Sequence, residues 1–139
     1  MTTSLTKLNQ EIVACKKCPR LVDFRTKIAK EKRKQYMNET YWGKPITGYG
    51  DVEAELLMIG LAPAAHGGNR TGRVFTGDQS SDFLFKCLFD AGLANQPSSM
   101  YKNDSLVLYN TYLTTALKCV PPADKPTPLE LRTCFPFRL

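Results

Sequence analysis

Apolar residues recur at helical spacing in three parts of the chain: residues 4–14, the stretch from Pro19 through Ile28, and residues 80–92. A continuous apolar run, residues 56–59, lies between the second and third of these segments. It predicts a buried strand of a parallel sheet. Residues 106–115 predict one long or two short strands. A strand, a helix and a strand in this order predict a right-handed βαβ unit, and therefore an α/β fold.

A glycine-rich stretch, residues 60–78, follows the first predicted strand, and we call it the glycine loop. In open α/β sheets, ligands bind outside the carboxyl ends of strands. Glycine and proline after a strand often mark only a tight turn. This loop, however, also carries the chain's single histidine and several other polar or aromatic side chains. Those candidate site residues are His66, Asn69, Arg70, Arg73, Phe75 and Asp78.

A second distinctive block runs over residues 118–128 and contains four prolines. Proline fixes φ and removes a backbone donor, so we expect a stiff loop here. Thr127 is predicted to cap a last helix with Pro128 in its first turn and Glu130 at the capping-box position. That helix would present Cys134.

The five cysteines are spaced in a way that suggests a metal centre. Cys15 and Cys18 form a C-x2-C pair, and Cys119 and Cys134 form a C-x14-C pair. Four thiolates can hold a structural zinc ion or a 4Fe-4S cluster, and the spacing does not choose between them. Unconnected buried cysteines are the third alternative. Cys87 lies among apolar helix positions and is predicted to pack in the core.

The chain has 139 residues and is 42% apolar, which fits a single domain spanning residues 1–139. Its formal net charge of +6 suits a polyanionic partner. The densest basic run, residues 25–34, could follow a phosphate backbone or be a solvated helix face. Residues 36–51 are predicted to be irregular, with Trp42 and Tyr49 covering a core edge or stacking on bases. Without a long apolar segment or an apolar signal region, we expect a cytoplasmic protein without membrane contact.

The glycine loop resembles the first motif of family 5 (type b) uracil-DNA glycosylases, and residues 118–122 with 125–128 resemble their second conserved block. The resemblance covers nearly all of this chain but only the amino-terminal portion of a family member. It implies a three-layer α/β/α fold with a mainly parallel sheet, incomplete at its carboxyl end. It also implies a 4Fe-4S cluster on Cys15, Cys18, Cys119 and Cys134.

The function implied by the resemblance is DNA repair: a nucleotide is flipped out, and uracil or another deaminated base is excised by hydrolysis of the N-glycosidic bond. The partner would be DNA containing such bases, and the complete protein would be a monomer. Asp78 and Asp124 are the candidate catalytic carboxylates, and Phe75 would stack on the flipped base. Backbone groups around Gly60, Ala62 and Ala64 would bind uracil, whereas phosphate or sugar would be held by His66, Asn69, Arg70 and Arg73.

Departures from the family pattern qualify this prediction. Leu61 and Ala62 are apolar where other glycosylase families keep a polar residue, which makes Asp78 the first choice of carboxylate. Many relatives have asparagine where Asp124 stands. The family's third motif, built around a His-Pro pair, has no counterpart, and losing one such donor costs roughly 100- to 1,000-fold in rate. We therefore expect an exposed sheet edge or a half-covered core. As the alternative function we weigh a non-catalytic nucleic-acid-binding module held by an iron–sulfur or zinc centre.

Overall fold

A computed structural model describes residues 2–137 of the chain. Helices and a small sheet alternate along the sequence, with single 3-10 turns at 34–36, 122–124 and 135–137. The helices are α1 (Thr2–Val13), α2 (Pro19–Glu31), α3 (Gly68–Thr71), α4 (Gln79–Asp90) and α5 (Pro128–Cys134), and the strands are β1 (Tyr49–Gly50), β2 (Leu56–Gly60) and β3 (Thr111–Thr115).

The sheet has the strand order β1-β3-β2. Strands β2 and β3 are parallel, with Met58 opposite Leu113, and α4 forms the connection between them. Strand β1 joins the other side of β3 in antiparallel orientation. The predicted α/β class is therefore confirmed. The prediction that residues 36–51 are irregular missed β1, because that strand forms only through pairing with β3, some sixty residues later.

Local start signals are found at three helices, and the one predicted at Thr127 is confirmed. Asp78 caps α4 and exchanges hydrogen bonds with Ser81, and Thr127 forms the expected capping box with Glu130 at the start of α5. Proline occupies the first turn of α2. The glycine loop contains an unpredicted helical turn, α3, which ends at Gly72 with a left-handed φ of 81°. The predicted strand segment before β3 is reduced to a single bridge between Ala94 and Leu108.

Two apolar clusters form the core. The first joins α4 to the sheet through Phe85, Leu88 and Leu113, and it is flanked by the partly buried Trp42 and Tyr49. Those two aromatic residues thus cover a core edge, as one of the two alternatives predicted. The second cluster lies beyond the carboxyl ends of β2 and β3 and brings α1, α2 and α5 together; it contains Ile12, Leu21, Leu117, Cys134 and Phe137.

The prediction that residues 56–59 form a buried strand is wrong about burial. Strand β2 exists, but the side chains of Leu57 and Ile59 are 45% and 61% exposed. Strand β2 is the last strand of the sheet, and of its residues only Met58 packs against the first core cluster, so the faces of the strand are largely uncovered. The expected exposed sheet edge is therefore found here, and we call β2 the open edge.

Cys87 is also placed differently from the prediction, because it is exposed on α4. The buried face of that helix is set by Ser81, Phe85 and Leu88, which are spaced by one helical turn each. Cys87 lies two residues from Phe85 and therefore on the opposite side. None of the helices in the described part of the chain is long and apolar enough to cross a membrane.

Candidate active site and cysteine pocket

A pocket of about 860 Å³ lies at the carboxyl end of β2, where the glycine loop begins. The glycine loop supplies most of its wall, and the second block and residues 33–36 close two other sides. Sequence-predicted residues on its lining are Ala62, Ala64, His66, Phe75, Asp78 and Asp124.

Asp78 has a structural role and also lines the pocket. Its Oδ1 accepts the Ser81 N–H at 2.8 Å and so caps α4. A Cβ placed on Gly67 would lie 2.6 Å from the Asp78 Oδ2, so only glycine lets the loop pass this close to the carboxylate. Because Asp78 also lines the pocket, the cap fixes a carboxylate at the pocket wall.

Asp124 reaches the same pocket from the second block. It is exposed, and it follows Ala123 in a turn where both residues have left-handed backbone angles, with φ of 57° and 55°. This conformation is unfavourable for alanine, whereas aspartate tolerates it better, and backbone strain of the kind at Ala123 tends to cluster at functional sites. The structure thus places both candidate carboxylates on one pocket.

Phe75 forms part of the pocket wall beside the end of β2. Its φ of 49° is left-handed, and its ring lies over Gly60, where an added Cβ would be 2.6 Å from the Phe75 Cζ. Gly60 itself is not among the lining residues, so its effect on the pocket is exerted through the position of this ring. The ring is half-buried and presents an aromatic surface to the cavity.

His66 is held by a tyrosine that the sequence analysis did not single out. The Tyr41 hydroxyl lies 2.8 Å from the His66 Nδ1, and the two rings meet edge to face. The Arg33 backbone N–H donates to the same hydroxyl at 3.2 Å. Burial, with Arg33 and Arg70 as nearby cations, lowers the pKa of His66 below its ordinary value. This shift favours the neutral imidazole.

Asn69 and Arg70 point into the protein. Asn69 is fully buried, and its amide donates to the Arg25 carbonyl at 3.3 Å. Arg70 donates to the His66 carbonyl at 2.6 Å, pairs with Glu39 at 2.7 Å, and lies 3.9 Å from the centre of the Tyr36 ring. Neither side chain is on the pocket lining, and both fix the path of the glycine loop behind it.

Arg73 is the centre of a buried polar network. Its guanidinium donates to Thr76 Oγ1, to Ser99 Oγ and to the Lys102 carbonyl at 2.9–3.0 Å. It also pairs with Asp104 at 3.0 Å. Burial raises the pKa of Asp104, but hydrogen bonds from the Met100 N–H and from Arg73 outweigh it, and the net shift is downward. This network attaches the segment around Ser99–Asp104 to the glycine loop.

Several of these partners carried no signal in the sequence. Ser99 and Asp104 lie in what reads as an ordinary polar loop, and Glu39 and Tyr41 lie in a stretch predicted to be irregular.

The residues of the basic run, 25–34, have different roles in the structure. Arg25 is buried and donates to the Gly43 and Cys15 carbonyls, whereas Arg33 is exposed at the pocket and offers a cation to a ligand.

The four paired cysteines line a second, separate pocket next to the other core cluster: Cys15, Cys18, Cys119 and Cys134. Burial raises the pKa of Cys18 and Cys134 and raises that of Cys119 to about 12, and the neighbouring thiols add to each shift. Within the described residues, no three His, Cys, Asp or Glu side chains are arranged to hold one metal ion. The thiols share a pocket without converging on a single point.

Hydrogen bonds and an ion pair hold the walls of the cysteine pocket in place. The Lys118 N–H lies 3.3 Å from Cys134 Sγ, to which it donates. Arg20, two residues after Cys18, makes two hydrogen bonds of 2.8 and 2.6 Å to the Glu130 carboxylate. This bidentate pair connects the start of α2 to α5, the two helices adjacent to the thiols.

Comparison with known proteins agrees with this geometry. The chain is 52% identical to the Type-5 uracil-DNA glycosylase of Thermus thermophilus, over 90% of this chain and 56% of the relative. Proteins of the same name from Mycobacterium leprae and Pyrobaculum aerophilum are each 47% identical, over 96% and 88% of this chain. The chain spans about half the length of these curated relatives, matching 58% and 54% of the latter two.

The family model of the uracil DNA glycosylase superfamily matches residues 47–138, a range that includes β1, the glycine loop, α4, β3 and the second block. This match covers most of the chain and both candidate carboxylates. The chain belongs to the uracil DNA glycosylase superfamily.

Proposed function

We propose that this chain carries the base-binding pocket of a DNA-repair glycosylase that excises uracil by hydrolysis of the N-glycosidic bond. The observation that supports this most is the shared pocket: Asp78 and Asp124 line one cavity together with Phe75 and His66. A pocket of this size accommodates a nucleotide flipped out of the duplex. The relatives named Type-5 uracil-DNA glycosylase support the same reaction.

In the proposed reaction, the bond between the sugar C1′ and the uracil N1 breaks and its electron pair leaves with the base. Positive charge then develops on the sugar, a water molecule adds to C1′ and gives up a proton, and one proton is taken up by the departing uracil anion. Asp78, fixed at the pocket wall by its cap to α4, is suited to stabilise the sugar cation or to orient the water. Asp124 approaches from the second block and is the second candidate for these roles.

Base binding is assigned to the part of the glycine loop nearest β2. Phe75 supplies a stacking surface, and backbone groups around Gly60, Ala62 and Ala64 supply hydrogen bonds to uracil. His66 would contact phosphate or sugar. Direct contact of Asn69, Arg70 and Arg73 with the nucleotide stays a prediction, and their buried bonds support a role in shaping the loop.

We propose a 4Fe-4S cluster for the cysteine pocket on the chemistry of its side chains. Four thiols line it, which is the ligand type that such clusters require, and apolar groups such as Leu21 and Phe137 lie beside them. A bound cluster would supply covalent cross-links among the start of α2, the second block and α5. Cys119 and Asp124 lie in the same block, so these cross-links would also fix the loop that carries the second carboxylate.

The proposal includes DNA containing uracil as partner, with other deaminated bases as further substrates. It also includes a monomeric protein located in the compartment that holds the DNA, which we take to be the cytoplasm.

The test is a single-turnover assay with anaerobically purified protein and an oligonucleotide containing one uracil. Asp78→Asn is the decisive variant, because asparagine is as good a helix cap as aspartate but carries no charge. We expect loss of uracil release by about 100-fold or more with unchanged unfolding, whereas Asp23→Asn on an exposed face of α2 should leave the rate unchanged. Equal rates for Asp78→Asn and wild type would refute the assignment.

A non-catalytic nucleic-acid-binding module is the second candidate, favoured by the formal net charge of +6, which suits DNA without requiring catalysis. It predicts that the wild-type chain binds the uracil oligonucleotide but releases no base. Visible absorption distinguishes an iron–sulfur cluster from a zinc ion, whether or not the chain is catalytic. We expect this absorption in the wild type and its loss in Cys119→Ser.

A further inference from the structure

We propose that Tyr41 is a positioning residue that holds His66 in the tautomer with its proton on Nε2, so that this N–H is donated to a nucleotide oxygen in the pocket. This inference rests on the proposed function for the identity of the ligand. The tautomer itself follows from contacts within the protein.

The direction of the hydrogen bonds follows from the donor at Arg33 taken together with the burial of Tyr41. A backbone N–H can only donate, so the Tyr41 oxygen accepts from Arg33 and keeps its own proton for another partner. The His66 Nδ1, at 2.8 Å, is the other hydrogen-bond partner of this hydroxyl. Tyr41 is buried, and buried hydroxyl groups donate their proton to a hydrogen-bond acceptor. Nδ1 therefore accepts, and the neutral ring carries its proton on Nε2.

The surroundings of His66 keep the ring neutral and turned towards the cavity. Arg33 and Arg70 are the neighbouring cations that oppose a second proton on the ring. The Arg70 guanidinium also bonds the His66 carbonyl at 2.6 Å, which fixes the backbone that carries the imidazole. His66 lines the pocket, so the nitrogen that does not bond Tyr41 is the one available to a ligand.

An Nε2–H donor beside the exposed Arg33 suits an acceptor oxygen of a nucleotide, such as a phosphodiester oxygen. A neutral donor binds without the desolvation cost of a second charge. Tyr41 therefore acts at a distance from the ligand, and His66 makes the contact.

The test uses ¹⁵N-labelled full chain, in which His66 is the single histidine and gives the single set of imidazole signals. Couplings to the ring carbon protons distinguish the two nitrogens. We expect an unprotonated Nδ1 and a protonated Nε2 in the wild type, and a mixture of tautomers in Tyr41→Phe. Tyr109→Phe, at an exposed tyrosine, is the matched control and should keep the wild-type pattern. An unchanged tautomer in Tyr41→Phe would overturn the inference.

A second measurement addresses the ligand. The probe is a duplex containing 2′-fluoro-2′-deoxyuridine, whose glycosidic bond resists cleavage. Its addition should shift the Nε2–H signal of the wild type, and Tyr41→Phe should bind it about 3- to 10-fold more weakly. A duplex that binds without moving the Nε2 signal would overturn the contact. The tautomer comparison uses free protein, so it decides the role of Tyr41 even if the chain releases no uracil.

Discussion

The glycine loop and the open edge are adjacent in sequence and opposite in character. The loop is polar, yet Asn69 and Thr76 in it are fully buried. Strand β2 is apolar, yet Ile59 is more than half exposed. Burial in this protein therefore follows the availability of partners more closely than the polarity of the residue.

The partners explain the difference. Thr76 lies within a network in which Arg73, Ser99 and Asp104 satisfy one another, so the polar groups lose little on leaving water. The open edge has β3 on one side and no strand on the other in the described residues. Its side chains lack covering groups, although they are of the type that usually fills a core.

The largest expected effect comes from breaking the loop's network. Arg73→Met removes the partner of Asp104, a carboxylate that is only slightly exposed. Breaking such a buried pair costs about 3–5 kcal/mol. We expect the lower end, because Asp104 keeps hydrogen bonds from the backbone of Met100 and Leu106. Urea unfolding measures the loss, and Arg132→Met on an exposed face of α5 is the control. A loss below about 1 kcal/mol would show that the network does not stabilise the loop.

The junction of loop and strand should be the next most sensitive position. Gly60→Ala places a methyl group against the Phe75 ring, and overpacking of this kind costs about 1–3 kcal/mol. The same change should weaken binding of a uracil-containing oligonucleotide, since the ring lines the pocket. Phe75→Leu should relieve much of the destabilisation in the double variant. Additive losses in the two variants would contradict a direct contact.

The open edge should tolerate a charge. Ile59→Lys is expected to change the free energy of unfolding by no more than about 0.5 kcal/mol, because the side chain already lies in water. Leu113→Ala, on the paired strand but fully buried, should cost about 2–5 kcal/mol. Thermal unfolding of both variants measures the contrast. A cost for Ile59→Lys as large as for Leu113→Ala would mean that the edge is covered in solution.

The smallest expected effect is the pH dependence contributed by His66. Burial and the cations Arg33 and Arg70 lower the pKa of the folded state below the value of about 6.5 expected for the unfolded chain. The stabilising contribution is therefore complete above about pH 6.5 and declines as pH falls below it, since the unfolded chain binds the proton first. His66→Gln should remove this slope, measured by unfolding at a series of pH values. A stability that rises on acidification through this range would contradict the sign.

The sequence predicted the periodic parts of the fold well. Helices α2, α4 and α5 carry their start signals in neighbouring residues, such as Asp78 before α4 and Thr127 before α5. These signals act over three or four residues and need no tertiary partner. That Asp78 and Asp124 line the same pocket was predictable only through the family resemblance. The two residues are far apart in the chain, and no local sequence pattern connects them.

The features that the sequence did not predict depend on contacts between residues far apart in the chain. The burial of Arg73 depends on Ser99 and Asp104, and the role of Tyr41 depends on His66, 25 residues away. The exposure of β2 side chains depends on which groups pack on the two faces of the strand, and of its residues only Met58 packs against the first core cluster. An apolar run indicates that a strand can be buried, but its neighbours decide whether it is.

Amide hydrogen exchange tests most directly whether partners, rather than polarity, stabilise these two regions. The Gly77 N–H bonds the Ser99 carbonyl at 2.7 Å and the Asn69 N–H bonds the Ala64 carbonyl at 2.9 Å. We predict that both exchange only by opening of the core, and that β2 amides pointing away from β3 exchange far faster. Loop amides that exchange as fast as those of the open edge would contradict a preorganised glycine loop and, with it, a preformed pocket.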